Sequence, residues 1–215
     1  MSCENYYGKV FAHVGGALGL AALSAEYVNV MKSLIHLHSP FLLFGVNVII
    51  LLGLLYGIHH TSPGPIHYVF FILFAGWIGQ TVQPLIEKKE TKNNMVRILA
   101  LTTGVFVGMM VVGFIDNQHT LGFYPYLIMA LIGLLIAHVF LSLYYSTTAK
   151  SWLSTMGVAV FALLTVYDTQ VIKKNKQACM AMLKRGIQPD YPTESIGLFL
   201  NFVHLFSHFS EQNNS

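Results

Sequence analysis

Charge is what this sequence has least of: Asp, Glu, Lys and Arg together make up 10% of its 215 residues. A soluble domain carries about 25%, so the chain lacks the polar surface that folding in water demands. Disorder is excluded too, because it needs low hydrophobicity and here 54% of residues are hydrophobic. The 12 Lys and Arg are too scattered to build a basic stripe with interleaved aromatics, so no nucleic-acid partner is expected. Cysteine is nearly absent as well. Cys3 and Cys179 form no CxxC or zinc-finger spacing, and the expectation is two free thiols. Glycine-rich phosphate loops, serine-nucleophile elbows and paired catalytic carboxylates are missing, and no enzyme is expected.

What is present is apolar sequence, in seven pieces. A membrane-spanning helix needs about 20 mostly apolar residues, and residues 10–30, 41–58, 66–86, 95–115, 121–145, 152–172 and 194–210 qualify. They contain four formal charges, Glu26, Arg97, Asp168 and Glu194, while the remaining 17 fall in the connections. None holds a lysine, which excludes a retinal Schiff base. The alternation of barrel strands is absent. Pro40 and the run Pro63-Gly64-Pro65 break the chain around the second segment, and Glu87–Asn94 reads as a charged turn. Short connections make neighbouring spans antiparallel. The expectation is an all-α polytopic membrane protein, with residues 1–215 forming a single seven-transmembrane-helix bundle.

Lys173–Thr193 is the exception among the connections, a basic stretch expected either to lie as a short helix among lipid headgroups or to form a solvated loop. Lys9 precedes roughly 20 apolar residues, too long for a signal-peptide core, so the first span is expected to stay in the protein. Basic residues divide almost evenly between the two faces, with a slight lean to a cytosolic N-terminus. Gly15, Gly16 and Gly19, with Gly104, Gly108 and Gly113, permit close helix packing and point to a monomer or weak oligomer.

Ionisable groups inside a membrane are costly unless paired or wet, which makes each a functional candidate. Glu26 and Arg97 sit about one turn inside the same face on different spans, and an intramembrane pair between them is expected. Asp168 lies five positions before Lys173, and Asn201 seven after Glu194, on spans leaving the same face. At the helical rise these depths are roughly 8 and 10 Å, so the two side chains can meet. A carboxylate at that depth binds cations or protons in competition, which suits the gate of an ion pathway. His204 and His208 stand four apart, a metal-ligand spacing, with His138 the deep histidine on another span.

Tyr167-Asp168-Thr169-Gln170, followed by Val171-Ile172 and a basic stretch, resembles the Bax inhibitor family of transmembrane proteins. The last span, from Ser195 through Gly197 and Asn201 to Phe206, is similar to that family's terminal helix, as is the Gly- and Ala-rich first span. The resemblance implies a bundle of the Bax inhibitor type that leaks calcium down its gradient, closes with pH, and protects against cell death. In the family an aspartate at the position of Asp168 pairs with another in the final helix, and that partner falls on Asn201 here. Two carboxylates would share a proton; Asp168 and Asn201 cannot, so weaker or shifted pH dependence is expected. His204, one turn beyond Asn201, offers a substitute site for pH sensing.

The expected function is therefore a calcium-permeable leak channel that lowers store calcium and inhibits apoptosis, with Asp168 and Asn201 as its ion-pathway gate. Calcium is the transported ion, and no cofactor or resident metal is expected. Membrane lipid and apoptosis-regulating membrane proteins or other ion channels are the expected partners. The expected location is an internal membrane, endoplasmic reticulum or Golgi, in a eukaryotic or viral setting, and the plasma membrane in a bacterium. The alternatives are an intramembrane zinc hydrolase using His204 and His208, and a non-conducting regulator of other channels.

Overall fold

The computed structural model describes residues 3–28, 40–116, 122–143 and 147–214. Among these residues there are eight helices and no strands: α1 (Tyr6–Tyr27), α2 (Pro40–His60), α3 (Pro65–Ile86), α4 (Lys89–Asn93), α5 (Met95–Ile115), α6 (Tyr124–Leu143), α7 (Thr147–Lys184) and α8 (Tyr191–Asn213). Each apolar segment of the sequence falls on one of them; parts of the first and fifth segments, residues 29–30, 121 and 144–145, lie outside the described residues. Four helices, α1, α3, α5 and α7, are long and apolar enough to cross a membrane. The apolar helical stretches Gly45–His60 and Tyr124–His138 are shorter.

Two corrections concern the connections. The charged turn between the third and fourth segments contains the short helix α4. The basic stretch after Ile172 is not a separate element, because α7 runs on through it to Lys184. Lys, Gln, Ala, Met and Leu all favour helix, and nothing in Lys173–Lys184 interrupts it. Charge marks where apolar sequence ends, which is a different place from where the helix ends. Gly186 supplies the stop, with φ of 74°. Its N–H donates to Leu183 O and that of Ile187 to Met182 O, both at 3.0 Å, the paired bonds that close a helix through a left-handed residue.

The chain forms two compact units, residues 1–84 with 178–196, and residues 85–177 with 197–215. In the first, α1 buries Tyr6, Val10, Val14, Ala17, Ala21 and Ala25, a stripe at helical spacing whose lower half is alanine. Small residues there let α3 come close: Gly79 lies against the Ala21 carbonyl, where any side chain would collide. Beside it Gln80 Nε2 donates to Ser24 O at 2.5 Å and contacts Ser24 Oγ at 3.0 Å. Trp77 Nε1 donates to Asn47 Oδ1 of α2 at 2.6 Å. The start of α8 is capped by Asp190, which accepts from the Thr193 N–H at 3.1 Å and contacts His67 Nε2 of α3 at 2.9 Å. Tyr6 O–H donates to Glu194, joining the two ends of the unit's sequence.

Cys3 and Cys179 are disulfide-bonded within this unit, their Cα atoms 6.2 Å apart. This corrects the expectation of free thiols. That expectation rested on local spacing, and the partners are 176 residues apart, so tertiary structure makes the pair.

In the second unit α7 and α8 pack as an antiparallel pair with contacts at successive turns. Ser154 Oγ donates to His208 O at 2.6 Å, Phe161 stacks on His204 at 4.3 Å between centroids, and Asp168 meets Asn201. Phe106 of α5 meets Phe202 of α8 edge to face at 5.3 Å. Lys173 Nζ donates to Phe114 O at 2.9 Å, placing a cation on the last turn of α5, where unsatisfied carbonyls favour it. Large apolar side chains such as Ile49, Leu52, Met129, Leu135 and Trp152 are exposed on the units' surfaces, as helices facing lipid require.

Candidate functional site

Consecutive helical residues point about 100° apart, so four in a row address different neighbours. The run Tyr167–Gln170 does so in the second unit. Tyr167 stacks on Tyr124 of α6 with centroids 4.7 Å apart. Asp168 faces α8. Thr169 is buried, its hydroxyl donating to Thr165 O at 2.7 Å. Gln170, fully buried, donates through Nε2 to Asp116 Oδ2 at the end of α5, at 2.6 Å. One helical turn of α7 thus touches α5, α6 and α8.

Asn201 Nδ2 donates to Asp168 Oδ2 at 2.6 Å. Asn201 is buried and Asp168 half-buried. Gly197, one turn before Asn201 on α8, completes the site: a Cβ there would lie 2.6 Å from Asp168 Oδ2. The carboxylate therefore occupies the space that a larger residue would fill, with an amide donor on one side. The partner of the carboxyl in this contact is a neutral amide and not a cation.

The structure brings together Asp168 and Asn201 but leaves His204 outside that contact. His204 is exposed and lies flat against Phe161, the rings 12° apart. The His204–His208 pair of the zinc-hydrolase alternative is not the cluster that forms among the described residues: His138 and His208 group with Glu211, and His204 is not among them. Residues four apart share a helix face yet sit a full turn apart along it, and that turn carries His204 onto Phe161. Glu26, near the end of α1 in the first unit, and Arg97, in the first turn of α5 in the second, are both exposed.

Gly197, Asp116 and Glu211 were not singled out from the sequence. Glu211 stands three residues after His208 on the same helix, and a His-x-x-Glu spacing was the available signal. Asp116 lay in a connection, where an acidic residue reads as solvated.

Comparison with known proteins covers almost the whole chain. It is 26% identical to a protein of Borreliella burgdorferi over 94% of this chain and 88% of that one. It is 24% identical to the inner membrane protein YbhL of Escherichia coli strain K12, again over 94% and 88%. A membrane protein of Streptococcus pyogenes is 23% identical over 94% of this chain and 89% of its own. Residues 3–211 match the family described as inhibitor of apoptosis-promoting Bax1, and the chain is a membrane protein belonging to the Bax inhibitor family.

Proposed function

We propose that this chain is a calcium-permeable leak channel in which Asp168 faces the ion and Asn201 holds it in place. The observation that carries the reading is the contact between Asn201 Nδ2 and Asp168 Oδ2 at 2.6 Å, made over Gly197. Asp168 is a carboxylate well inside an apolar helix, and an ionisable residue placed there marks an ion pathway by default. In this reading all seven apolar segments cross the membrane, α2, α6 and α8 joining the four helices of full spanning length.

Calcium passes as cargo, with no catalytic step and no cofactor. The cellular outcome is lowered store calcium and reduced sensitivity to apoptotic signals, in the endoplasmic reticulum or Golgi of a eukaryotic or virus-infected cell. In a bacterium the same activity belongs to the plasma membrane. Apoptosis-regulating membrane proteins and other channels are the partners this role calls for.

Calcium efflux from liposomes carrying the purified chain tests the reading. Efflux above that of empty vesicles is expected. Vesicles no leakier than empty ones would overturn it, and a chain that conducts nothing yet protects cells would be a non-conducting regulator instead.

A further inference from the structure

Near the C-terminal end of α8, seven residues beyond Asn201, three potential ligands converge. His138 of α6 and His208 and Glu211 of α8 each offer an atom within 4.8 Å of the other two. Glu211 Oε2 is 3.5 Å from His208 Nδ1 and 3.9 Å from His138 Nε2. Both separations exceed ordinary hydrogen bonds, which run to about 3.2 Å. His208 is 5% exposed, and its Nδ1 is buried without a hydrogen-bond partner.

The rings are held in orientation by their other edges. His138 Nδ1 lies 2.9 Å from Leu134 O, and only a protonated nitrogen can donate there. In the neutral ring this leaves Nε2 bare, with its lone pair toward Glu211. A backbone carbonyl in this role fixes the tautomer of many metal-binding histidines. His208 presents Nδ1 to Glu211 because its opposite edge lies against Gly157 of α7, a position where any side chain would collide with the imidazole. The cluster borders a cavity of about 450 Å³ walled mainly by apolar residues, among them Leu131, Leu135 and Phe161. Side chains of His138 and Glu211 are 41% and 42% exposed, so an ion can reach the ligands.

We propose that His138, His208 and Glu211 form a binding site for a divalent transition-metal ion of the zinc type. Two imidazoles and one carboxylate suit zinc and its neighbours, whereas calcium and magnesium take oxygen ligands. Ligand atoms of a tetrahedral zinc stand about 3.3 Å apart at bond lengths near 2.0 Å. The Glu211 gaps of 3.5 and 3.9 Å close to that value by small rotations of its side chain, and the two imidazole ligand atoms lie within 4.8 Å of each other. The cavity that His138, His208 and Glu211 line has room for a fourth ligand such as water. A bound ion ties α6 to α8 and is a separate feature from the Asp168 contact.

The test uses the full chain in detergent, stripped by a chelator and then equilibrated with Zn²⁺ alone. About one zinc per chain is expected by elemental analysis, with the same value for His204→Ala and at least a tenfold loss for His138→Ala and Glu211→Gln. Zinc is also expected to raise the melting temperature of the unmodified protein, by mass action on the folded state, where calcium at equal concentration does not. The proposal is overturned if the unmodified chain binds no zinc and gains no stability. It is equally overturned if Glu211→Gln retains full stoichiometry, or if His204→Ala loses the metal as completely as His138→Ala.

Discussion

Asn201 donates its side-chain amide to Asp168 across 2.6 Å, so the carboxylate inside the α7–α8 pair meets a group that cannot titrate. A second carboxylate at position 201 would share a proton with Asp168, and the two would titrate as a coupled pair. The substitution Asn201→Asp is therefore expected to make calcium efflux more dependent on pH. Between about pH 6 and pH 8 the change in rate should exceed that of the unmodified chain by roughly threefold or more. Matching pH profiles for the two proteins would show that this contact does not set the pH response.

Gly197 gives Asp168 its place. In Gly197→Ala the new Cβ would stand 2.6 Å from Asp168 Oδ2, and either the side chain or α8 must move. Overpacking of this kind costs about 1–3 kcal/mol, read as a lower melting temperature, together with altered efflux. Gly122→Ala, where a Cβ meets nothing within 4 Å, is the control and should leave efflux unchanged.

Much of this arrangement was legible in the sequence, and the parts that were not have physical reasons. The fourth apolar segment and α5 share both ends, Met95 and Ile115, because polar residues flank a continuous apolar run. Counting residues inward from Lys173 and Glu194 placed Asp168 opposite Asn201, since the helical rise converts position into depth. Residues four apart share a helix face, and so His204 was paired with His208, although the turn between them stacks His204 on Phe161 and leaves it out of the cluster. Glu211 sits one residue past the last apolar segment and was left out of the cluster it completes. The Cys3–Cys179 bond depends on where the chain returns after 176 residues, which no local spacing encodes.

The disulfide fastens the start of α1 to the last turns of α7, within one unit. Protein alkylated before extraction is expected to migrate faster on a non-reducing gel than on a reducing one, and Cys3→Ser is expected to abolish the difference. Such bonds persist in oxidising compartments, so this result would turn the N-terminal face away from the cytosol, against the slight lean of the charge distribution. Equal migration in both lanes would mean the thiols stay free in cells.

Gln170 links α7 to the end of α5 through Asp116 at 2.6 Å, and it is fully buried. Gln170→Ala removes that hydrogen bond and leaves a gap, at a cost of about 2 kcal/mol. Lys174→Ala, on the exposed side of the same helix, should change stability by less than about 0.5 kcal/mol. Thermal melting of both in one detergent makes the comparison, and equal losses would remove Gln170 as a fastening between the helices.

The measurement closest to the central claim is calcium efflux from liposomes carrying the unmodified chain or Asp168→Asn at equal protein density. The amide keeps the size of the side chain and removes its charge. Efflux is expected to fall at least tenfold, the loss of about 1.4 kcal/mol of ion stabilisation, while the melting temperature changes little. Equal efflux from the two proteins would contradict the account, because calcium would then be passing without the Asp168 carboxylate.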